Sequence, residues 1–555
     1  RYPDANRGAG ITLVSLHEQL VSAVRLPLVV LLGAVGFVLL IACANIANLL
    51  LARASGRRRE VALRVALGAA RGRLVRQFLT ESLLYASAGG VLGLLVARWG
   101  IDLLLALVPA GRLPVEGVAL AWPVLLFAAG VTMLTGLLFG IAPALQASAT
   151  DAVAGLKEGG RGSTSRLTRL RPPLVAGQVA VTLVLLVGAG LLARSFARLQ
   201  AVDLGFEPAG TLTGLVVPPA ARYREPAAIT AFYDRLQESV ASIPGVEAAG
   251  MSSVLPLPGG DSDTSLEIEG RPAPLSPADE PAAWYRLVSA GYFEAVGMEL
   301  VSGRAFAATE PSPVVVVNET MARKFWPGQS ALGRRLRSGP DQPWFTVVGI
   351  ARDARTRGPA VTPQVEMFVP YRFIAERGIN VVLRSSKDPA ALEPELRQAV
   401  RRVDPEVPLR NVSTLEAAVS QTVAQPRFLA VVLGAFALAS LALAAIGVYG
   451  IVSYTVAART SEIGVRMALG ADPSQVPRQV LGEGLKLAVA GAAVGAAAAF
   501  AVVRLLASLL FDVAPTDPVV FAGTTALLVL VVVAAGYVPA RRAAAIDPLA
   551  ALRVE

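Results

Sequence analysis

Side chains able to perform acid–base, nucleophilic or metal chemistry are scarce in this sequence. Its 555 residues include one cysteine, Cys43, and one histidine, His17. This count excludes a disulfide framework and any metal site rich in histidine or cysteine. The long segment 199–425 has no histidine, so it cannot hold a Ser-His-Asp triad. We predict that His17 is a structural or surface residue and that Cys43 faces lipid or a neighbouring helix.

Four carboxylates alternate along the stretch DSDTSLEIEG. They are Asp261, Asp263, Glu267 and Glu269. Carboxylate oxygens are ligands that suit Ca²⁺, but residues that alternate in this way also form the solvated face of a strand. We favour the strand interpretation, in which these carboxylates face solvent next to a flexible loop.

One further pair of charges lies at the end of an apolar stretch. Arg98 and Asp102 are four residues apart, a spacing that allows an ion pair on a helix. We interpret the pair as an anchor at the membrane interface. A proton relay is disfavoured because no further buried acids follow it.

The stretch GQSALGRR at 328–335 has the glycine spacing of a phosphate-binding loop. Such a loop needs Lys followed by Ser or Thr, whereas Arg334 and Arg335 stand at those places. We interpret the stretch as a turn between a helix and a strand. The sequence therefore predicts no nucleotide site, no cofactor and no ATP hydrolysis by the chain itself.

The composition is that of a membrane protein. Hydrophobic residues make up 54% of the chain and charged residues 17%, and the mean hydropathy is +0.56. Soluble domains carry about 25% charged residues. Seven stretches reach the roughly 20 residues that cross a bilayer. These predicted spans are 27–52, 78–107, 121–147, 172–198, 426–457, 477–511 and 518–540.

Arginine-rich stretches between the spans predict the orientation of the chain. Residues 53–76 hold eight Arg and one Glu, and both the segment 148–171 and the tail after Pro539 are also basic. Positively charged loops stay in the cytoplasm. Alternation then places three segments outside, namely 1–26, 108–120 and 199–425. The formal net charge of +10 is explained by cytoplasmic loops, so no nucleic-acid surface is needed.

The segment 199–425 has the pattern of an α/β domain. Strands rich in β-branched residues are predicted at 246–253, 313–318, 345–353, 366–371 and 380–385. Helical patterns lie between them at 227–243, 289–297, 318–326 and 389–403. Asp388 is the predicted cap of the last helix, which begins at Pro389. We predict a mixed sheet with helices on one face, in one or two lobes, and a mobile loop or subdomain connection at 254–283.

The sequence contains an internal repeat. EVALRVALGA at 60–69 recurs as EIGVRMALGA at 462–471, 402 positions later. A second match pairs 143–157 with 539–553, and residues 11–27 resemble 411–426. We predict a duplication whose second copy, 172–555, is complete. The first copy keeps only the end of its outer domain, so the chain is expected to begin partway through a longer protein.

Each copy of the decapeptide has the pattern of a short helix at the cytoplasmic surface. An acid and an arginine lie four residues apart, which supports a helix, and a glycine follows where a helix ends. The residues concerned are Glu60, Arg64, Leu67, Gly68, Glu462, Arg466, Leu469 and Gly470. Topological anchoring alone explains the arginine clusters. It does not explain why Leu-Gly-Ala recurs, and this conserved apolar face suits docking into a partner.

With these motifs the sequence resembles the FtsX/MacB-type permeases of the ABC transporter superfamily, in particular the duplicated orphan permeases, which fuse two units in one chain. The matching stretches are both decapeptides with their flanks, ANIANLLLARA at 44–54, and residues 287–306, 313–336 and 539–553. Two features depart from the pattern. Pro473 and Pro477 interrupt the chain after the second decapeptide, and ANIAN has no close counterpart in the second copy.

The resemblance implies a multi-pass α-helical protein of the bacterial cytoplasmic membrane with an extracytoplasmic, MacB-like α/β domain. Each unit would have four membrane helices and a cytoplasmic coupling helix that meets a separate ATPase, and the C-terminus would be cytoplasmic. The predicted domains are the end of a first outer domain (1–26), a first FtsX-like three-helix domain (27–147), a cytoplasmic linker (148–171), a membrane helix (172–198), the outer α/β domain (199–425) and a second FtsX-like three-helix domain (426–555).

Two functions follow as hypotheses. In the first, the chain is a permease subunit that relays ATPase-driven motion to its outer domain for export or release of a substrate. In the alternative, it is a scaffold that transports nothing and whose outer domain regulates an envelope enzyme. An intramembrane enzyme is disfavoured because no span carries paired catalytic groups. The expected partners are membrane lipid, a separate ABC-type ATPase and an envelope protein, and not nucleic acid.

Overall fold

The computed structural model describes residues 14–56, 71–107, 121–149, 171–257, 262–272, 279–374, 376–458 and 475–544. Contacts divide the chain into two compact parts. One part, the outer domain, comprises Arg198–Gln425. The other, the membrane part, comprises Leu16–Ala197 and Pro426–Glu555.

Long apolar helices make up the membrane part. They are α1 (Leu16–Gly56), α2 (Arg71–Leu107), α3 (Trp122–Ala149), α4 (Arg171–Gln200), α10 (Ala424–Ala458), α11 (Gln475–Val502) and α12 (Pro518–Ala544). In the described part of the chain, six of them are long and apolar enough to cross a membrane. The remaining one, α3, has a shorter apolar section at Trp122–Leu137. The helices correspond to the seven predicted spans.

Helix α4 lies at the centre of this part. Within its apolar stretch 72% of the residues are buried, whereas none are buried in the corresponding stretch of α2. Gly491 and Gly495 of α11 allow a close approach, since a Cβ added at either would lie 2.6–2.7 Å from a backbone oxygen of α4. Small residues four positions apart commonly mediate such packing in membranes. The glycines of this alanine-rich helix therefore have a packing role.

The structure has a candidate membrane span, Gly484–Leu509, within the predicted span 477–511, but its helical geometry changes along its length. The α-helix ends at Val502, and residues Val503–Leu509 form a 3-10 helix. Tightening to 3-10 geometry is common at the ends of α-helices. The apolar composition continues unchanged through this change of geometry, so hydropathy did not reveal it.

The outer domain is built on one mixed sheet of twelve strands. Its strands are β1 (Thr211–Val216), β2 (Val246–Ser252), β3 (Asp263–Ser265), β4 (Glu267–Ile268), β5 (Ala282–Val288), β6 (Leu300–Gly303), β7 (Val314–Asn318), β8 (Arg335–Arg337), β9 (Phe345–Ala351), β10 (Glu366–Pro370), β11 (Ile379–Ser385) and β12 (Leu409–Thr414). The strand order is β12-β1-β11-β2-β5-β10-β7-β9-β8-β4, with β3 beside β5 and β6 beside β9. The pairs β5–β10 and β7–β9 are parallel, and the other pairs are antiparallel.

Helices cover both faces of this sheet. They are α5 (Pro226–Ala241), α6 (Tyr292–Val296), α7 (Glu319–Phe325), α8 (Glu393–Val403) and α9 (Leu415–Thr422). Alternate residues of β7 enter different cores: Val315 and Val317 pack with α5, α7 and α8, while Val314 and Val316 pack with α6. Since successive strand residues point to opposite faces, the prediction of helices on one face only is wrong. Helix α6 of the second face was predicted at 289–297, but a local helical pattern does not show which face of the sheet a helix covers.

The five predicted strands and four predicted helices of this domain are present, with ends that differ by a few residues. Asp388 accepts a hydrogen bond from the Ala390 backbone nitrogen at 3.0 Å, as expected for a cap. The element that it caps is a 3-10 helix, Pro389–Leu392, which leads into α8 at Glu393. The stretch 254–283 differs from the prediction, since it includes β3, β4 and the start of β5. Its short strands pair with β5 and β8, and such pairing across the chain has no local signal.

Candidate functional site

The predicted coupling residues lie outside the described residues. This holds for the four residues of the first decapeptide and for the four of the second, which belong to the segments 57–70 and 459–474. Their assignment to an ATPase-coupling surface stays a prediction.

A polar junction, which sequence reasoning missed, lies where three membrane helices meet. Asn45 of α1 and Gln178 of α4 both donate side-chain hydrogen bonds to the backbone oxygen of Leu443 in α10, at 2.7 and 2.8 Å. Asn45 and Gln178 are 5% and 3% exposed. The carbonyl of Leu443 thus ties both neighbouring helices to α10.

The amide oxygens of this junction face a glycine. Gly447 lies one turn beyond Leu443, and a Cβ added there would overlap Asn45 Oδ1 and lie 2.7 Å from Gln178 Oε1. Among the described residues, neither oxygen has a hydrogen-bond donor. A buried polar group without a partner costs about 1–3 kcal/mol.

A second link joins α4 to the start of α12. Arg194 Nη1 lies 2.6 Å from Asp517 Oδ1, and the same oxygen accepts hydrogen bonds from the backbone nitrogens of Val519 and Val520. Ser195 Oγ accepts a hydrogen bond from the Phe511 backbone nitrogen at 2.8 Å. Asp517 therefore caps α12 and holds the end of α4 at once.

The outer domain has a cleft of about 280 Å³ at the carboxyl ends of the parallel strands β5 and β10. Ligands of α/β sheets commonly bind at such strand ends. Tyr371 donates a hydrogen bond to Asp234, and Arg372 lies 2.7 Å from the same carboxylate. On the other side, Glu310 pairs with Arg304 at 2.6 Å. Two of the carboxylates that line the cleft thus already have cationic partners.

These groups suit binding rather than proton transfer. Burial, reinforced by the hydrogen bond to Asp234, raises the pKa of Tyr371. The hydrogen bond from Arg304 lowers the pKa of Glu310. At neutral pH the phenol therefore stays protonated and the carboxyl stays ionised, so neither group is poised as an acid or a base.

The structure places the other candidate residues in structural roles. Glu267 pairs with Arg337 and Glu269 with Arg335, which agrees with the strand interpretation of these acids. The described part of the chain has no cluster of three or more His, Cys, Asp or Glu that could hold a metal ion. Asp261 lies outside the described residues.

The remaining candidates behave as follows. Arg98 and Asp102 form the predicted i,i+4 pair at 3.5 Å, with both side chains exposed. The stretch 328–335 connects α7 to β8, as predicted, with positive φ at Gly328 and Gly333. His17 is exposed on α1, and Cys43 is half-buried on the same helix.

Comparison with known families agrees with this architecture. The family described as FtsX-like permease C-terminal matches residues 32–152 and again 434–548. The family described as MacB-like periplasmic core domain matches residues 174–399. The chain is a multi-pass α-helical membrane protein with an extracytoplasmic α/β domain. It belongs to the FtsX/MacB-type permeases of ABC transporters.

Individual relatives match parts of the chain. The macrolide export ATP-binding/permease protein MacB of Agrobacterium fabrum is 28% identical over 285 residues, which are 48% of this chain and 42% of that protein. The pyoverdine export ATP-binding/permease protein PvdT of Pseudomonas savastanoi pv. phaseolicola is 34% identical over 224 residues, or 38% of this chain and 33% of that protein. The chain therefore spans less than half the length of these curated relatives.

Among solved structures, the periplasmic region of MacB from Actinobacillus actinomycetemcomitans matches 40% of this chain and 94% of its own. The sequence identity is 14% and the TM-score 0.28. The extracellular domain of the transporter YknZ from Gram-positive bacteria matches 36% of this chain and all of its own, with 14% identity and a TM-score of 0.25.

Proposed function

We propose that the chain is the permease subunit of an ABC system that carries ATPase-driven motion from two cytoplasmic coupling helices to the outer domain, for export or release of a substrate. One observation carries the proposal: the decapeptide recurs at 60–69 and 462–471, and each copy lies within one of the two FtsX-like matches. A separate ATP-binding subunit would dock on these two surfaces.

The dimensions of the helices support a mechanical role. An α-helix rises about 1.5 Å per residue, so the 30 residues of α4 extend about 45 Å and the 35 residues of α10 about 52 Å. The hydrocarbon core of a bilayer is about 30 Å thick. These two helices flank the outer domain in the sequence and are longer than the bilayer requires. Rigid helices of this length suit transmission of a movement from one side of the membrane to the other.

The distribution of charge supports the orientation that this function needs. Under the positive-inside rule, the arginine-rich segment 53–76, the linker 148–171 and the C-terminus are cytoplasmic. The outer domain then lies outside the cytoplasm, and both decapeptides lie inside, where ATP is available.

The test replaces each decapeptide segment, 60–68 and 462–470, with Gly and Ser. Each replacement removes one glutamate and one arginine, so the net charge that orients the chain is unchanged. The matched control replaces the linker residues 158–164, which also contain one glutamate and one arginine. We expect ATP-binding subunits of the same organism to co-purify with the natural chain and the control, and not with the double replacement. Unchanged association after both replacements would contradict the proposal.

The scaffold alternative predicts a different outcome. The cleft at the ends of β5 and β10 offers the outer domain a binding surface with no catalytic arrangement, as a regulatory contact would need. In that case an envelope protein co-purifies with the outer domain and changes activity, while efflux from cells is the same with and without the chain. If deletion of the chain abolishes efflux and expression of the natural chain restores it, the result supports the permease function and contradicts the scaffold alternative.

A further inference from the structure

Positions that are equivalent in the two copies of the duplication contact each other inside the membrane. The copies of the decapeptide are 402 residues apart, and the two FtsX-like matches begin at residues 32 and 434, which is the same separation. In this register Asn45 of α1 corresponds to Gly447 of α10. These are the two residues that meet at the polar junction.

Contact between equivalent residues has a specific geometric meaning. In an assembly with twofold symmetry, a residue touches its own equivalent only when it lies on or next to the axis. The contact between Asn45 and Gly447 is the contact that a local twofold axis between α1 and α10 would produce. The hydrogen bond from Asn45 to Leu443 spans the same contact, since Leu443 is the equivalent of Ile41.

The two residues at the axis are complementary because they differ. Asn45 reaches across to the Leu443 carbonyl, and Gly447 has no side chain to obstruct it. Two asparagines at these positions would crowd each other, because even a Cβ at residue 447 overlaps Asn45 Oδ1. Two glycines would lose the hydrogen bond and leave a gap in a buried interface. An asparagine on one helix and a glycine on the other form the hydrogen bond and also leave room for it.

We propose that the two permease units of one chain pair with each other around this axis, and that Asn45 against Gly447 selects pairing of a first unit with a second unit over pairing of two like units. The inference deepens the proposed function, because it places both units of a permease pair in one chain, but it depends only on the two-unit architecture. An interface between identical units must place the same residue on both sides. Duplication within one chain removes that restriction and allows specificity through unlike residues.

Disulfide cross-linking tests the pairing directly. In a Cys43→Ala background, Asn45→Cys is combined with Gly447→Cys. Asn45→Cys also removes the Asn45 Oδ1 atom, which would overlap the new side chain at residue 447. A protease site is inserted in the linker after Gly160, so that cleavage separates the two cysteines. After oxidation of membranes and cleavage, we expect the two fragments to stay together on a non-reducing gel and to separate when reduced.

The controls distinguish one chain from two. Differently tagged chains, one with Asn45→Cys and the other with Asn45→Ala and Gly447→Cys, are co-expressed, and we expect little cross-linking between them. Leu32→Cys with Leu438→Cys is the matched intrachain control, because these residues of α1 and α10 are 73% and 66% exposed and face away from the bundle. Cross-linking between the co-expressed chains that exceeds the intrachain product would overturn the proposal, as would absence of the intrachain product.

A double-mutant cycle tests the complementarity. Gly→Ala substitution in a helix interior is ordinarily stabilising. We expect Gly447→Ala to lower the unfolding midpoint of the detergent-solubilised chain when Asn45 is present. The loss should be smaller in an Asn45→Ala background, where Gln178 Oε1 is the remaining close neighbour of the added Cβ. Equal losses in the two backgrounds, or a rise in both, would mean that the contact with Asn45 does not select the pairing. Neither experiment involves an ATPase. A negative result in either one would therefore contradict the pairing of the two units and leave the proposed ATPase coupling untouched.

Discussion

Arg286 and Glu366 form a buried ion pair between the parallel strands β5 and β10 of the outer domain. Their side chains are 5% and 4% exposed. Arg286 Nη1 also donates hydrogen bonds to the backbone oxygens of Val254 and Leu255, at 2.8 and 2.9 Å. The pair therefore joins the centre of the sheet to the chain segment that leaves β2.

Removing one member of this pair should destabilise the outer domain strongly. We expect Glu366→Gln to cost about 3–5 kcal/mol, because a buried guanidinium loses its counter-charge. The double variant Arg286→Met with Glu366→Leu should recover most of this loss. Denaturant unfolding of the full chain, followed by tryptophan fluorescence, measures the effect. The control is Glu269→Gln, which breaks an exposed pair with Arg335 and should change stability little. Equal effects of the two single variants would contradict the prediction.

Asp404 predicts how the stability of the outer domain depends on pH. The hydrogen bond from Tyr223 at 2.7 Å, aided by the Glu406 backbone nitrogen and Arg222, lowers the pKa of Asp404. Because the folded pKa lies below the unfolded value of about 3.9, this stabilisation is complete at neutral pH. It is lost as the pH falls below about 4 and through the folded pKa.

The variants for this test separate the charge from the hydrogen bond. Asp404→Asn should lower stability at pH 7 and flatten its decline in acid. Tyr223→Phe should cost about 1.5–3 kcal/mol at pH 7, the usual value of a hydrogen bond to a charged group. The measurement is the denaturation midpoint between pH 3 and pH 7. An acid decline that is as steep in Asp404→Asn as in the natural chain would show that other groups control it.

Asp517 should stabilise the membrane part in two separable ways. Asp517→Asn keeps an oxygen that can cap α12 but removes the charge opposite Arg194. Asp517→Ala also removes the cap, which costs about 1 kcal/mol more. We expect the thermal midpoint in detergent to fall in the order natural chain, Asn variant, Ala variant.

The cycle with Arg194 is the control for the ion pair. The loss in the double variant Arg194→Gln with Asp517→Asn should be smaller than the sum of the two single losses, because both remove the same contact. Additive losses would mean that the ion pair contributes nothing.

Residues on the two sides of the membrane should react differently with an impermeant maleimide. In the Cys43→Ala background, we expect Asp341→Cys in the outer domain to react in intact spheroplasts. Arg57→Cys and Arg459→Cys, next to the decapeptides, should react only after permeabilisation, since arginine-rich loops stay in the cytoplasm. The cysteine-free chain is the control. Reaction of Arg57→Cys in intact spheroplasts would invert the proposed orientation and remove the basis for ATPase coupling.

Much of the architecture is encoded locally and was predicted from the sequence by itself. Runs of apolar residues determine the membrane helices, because only a long apolar helix satisfies its backbone within lipid. β-branched runs such as 313–318 determine strands, and Asp388 before Pro389 marks a helix start. The family was recognised in the same way, from short local motifs such as the two decapeptides. The central strand β5 was missed because AAWYRLV has few β-branched residues, and its place between β2 and β10 depends on distant segments.

Contacts between distant segments were decided only by the tertiary structure. The sequence indicated that ANIAN is peculiar to the first copy, but not that Asn45 would meet Gly447. Nor did it indicate that Gly491 and Gly495 would admit the backbone of α4, or that Arg286 would find Glu366. The physical reason is that such pairs depend on helix crossings and strand order, which arise from packing the whole chain at once. A local pattern specifies which face of an element is buried, and the assembled fold decides which residues meet across it.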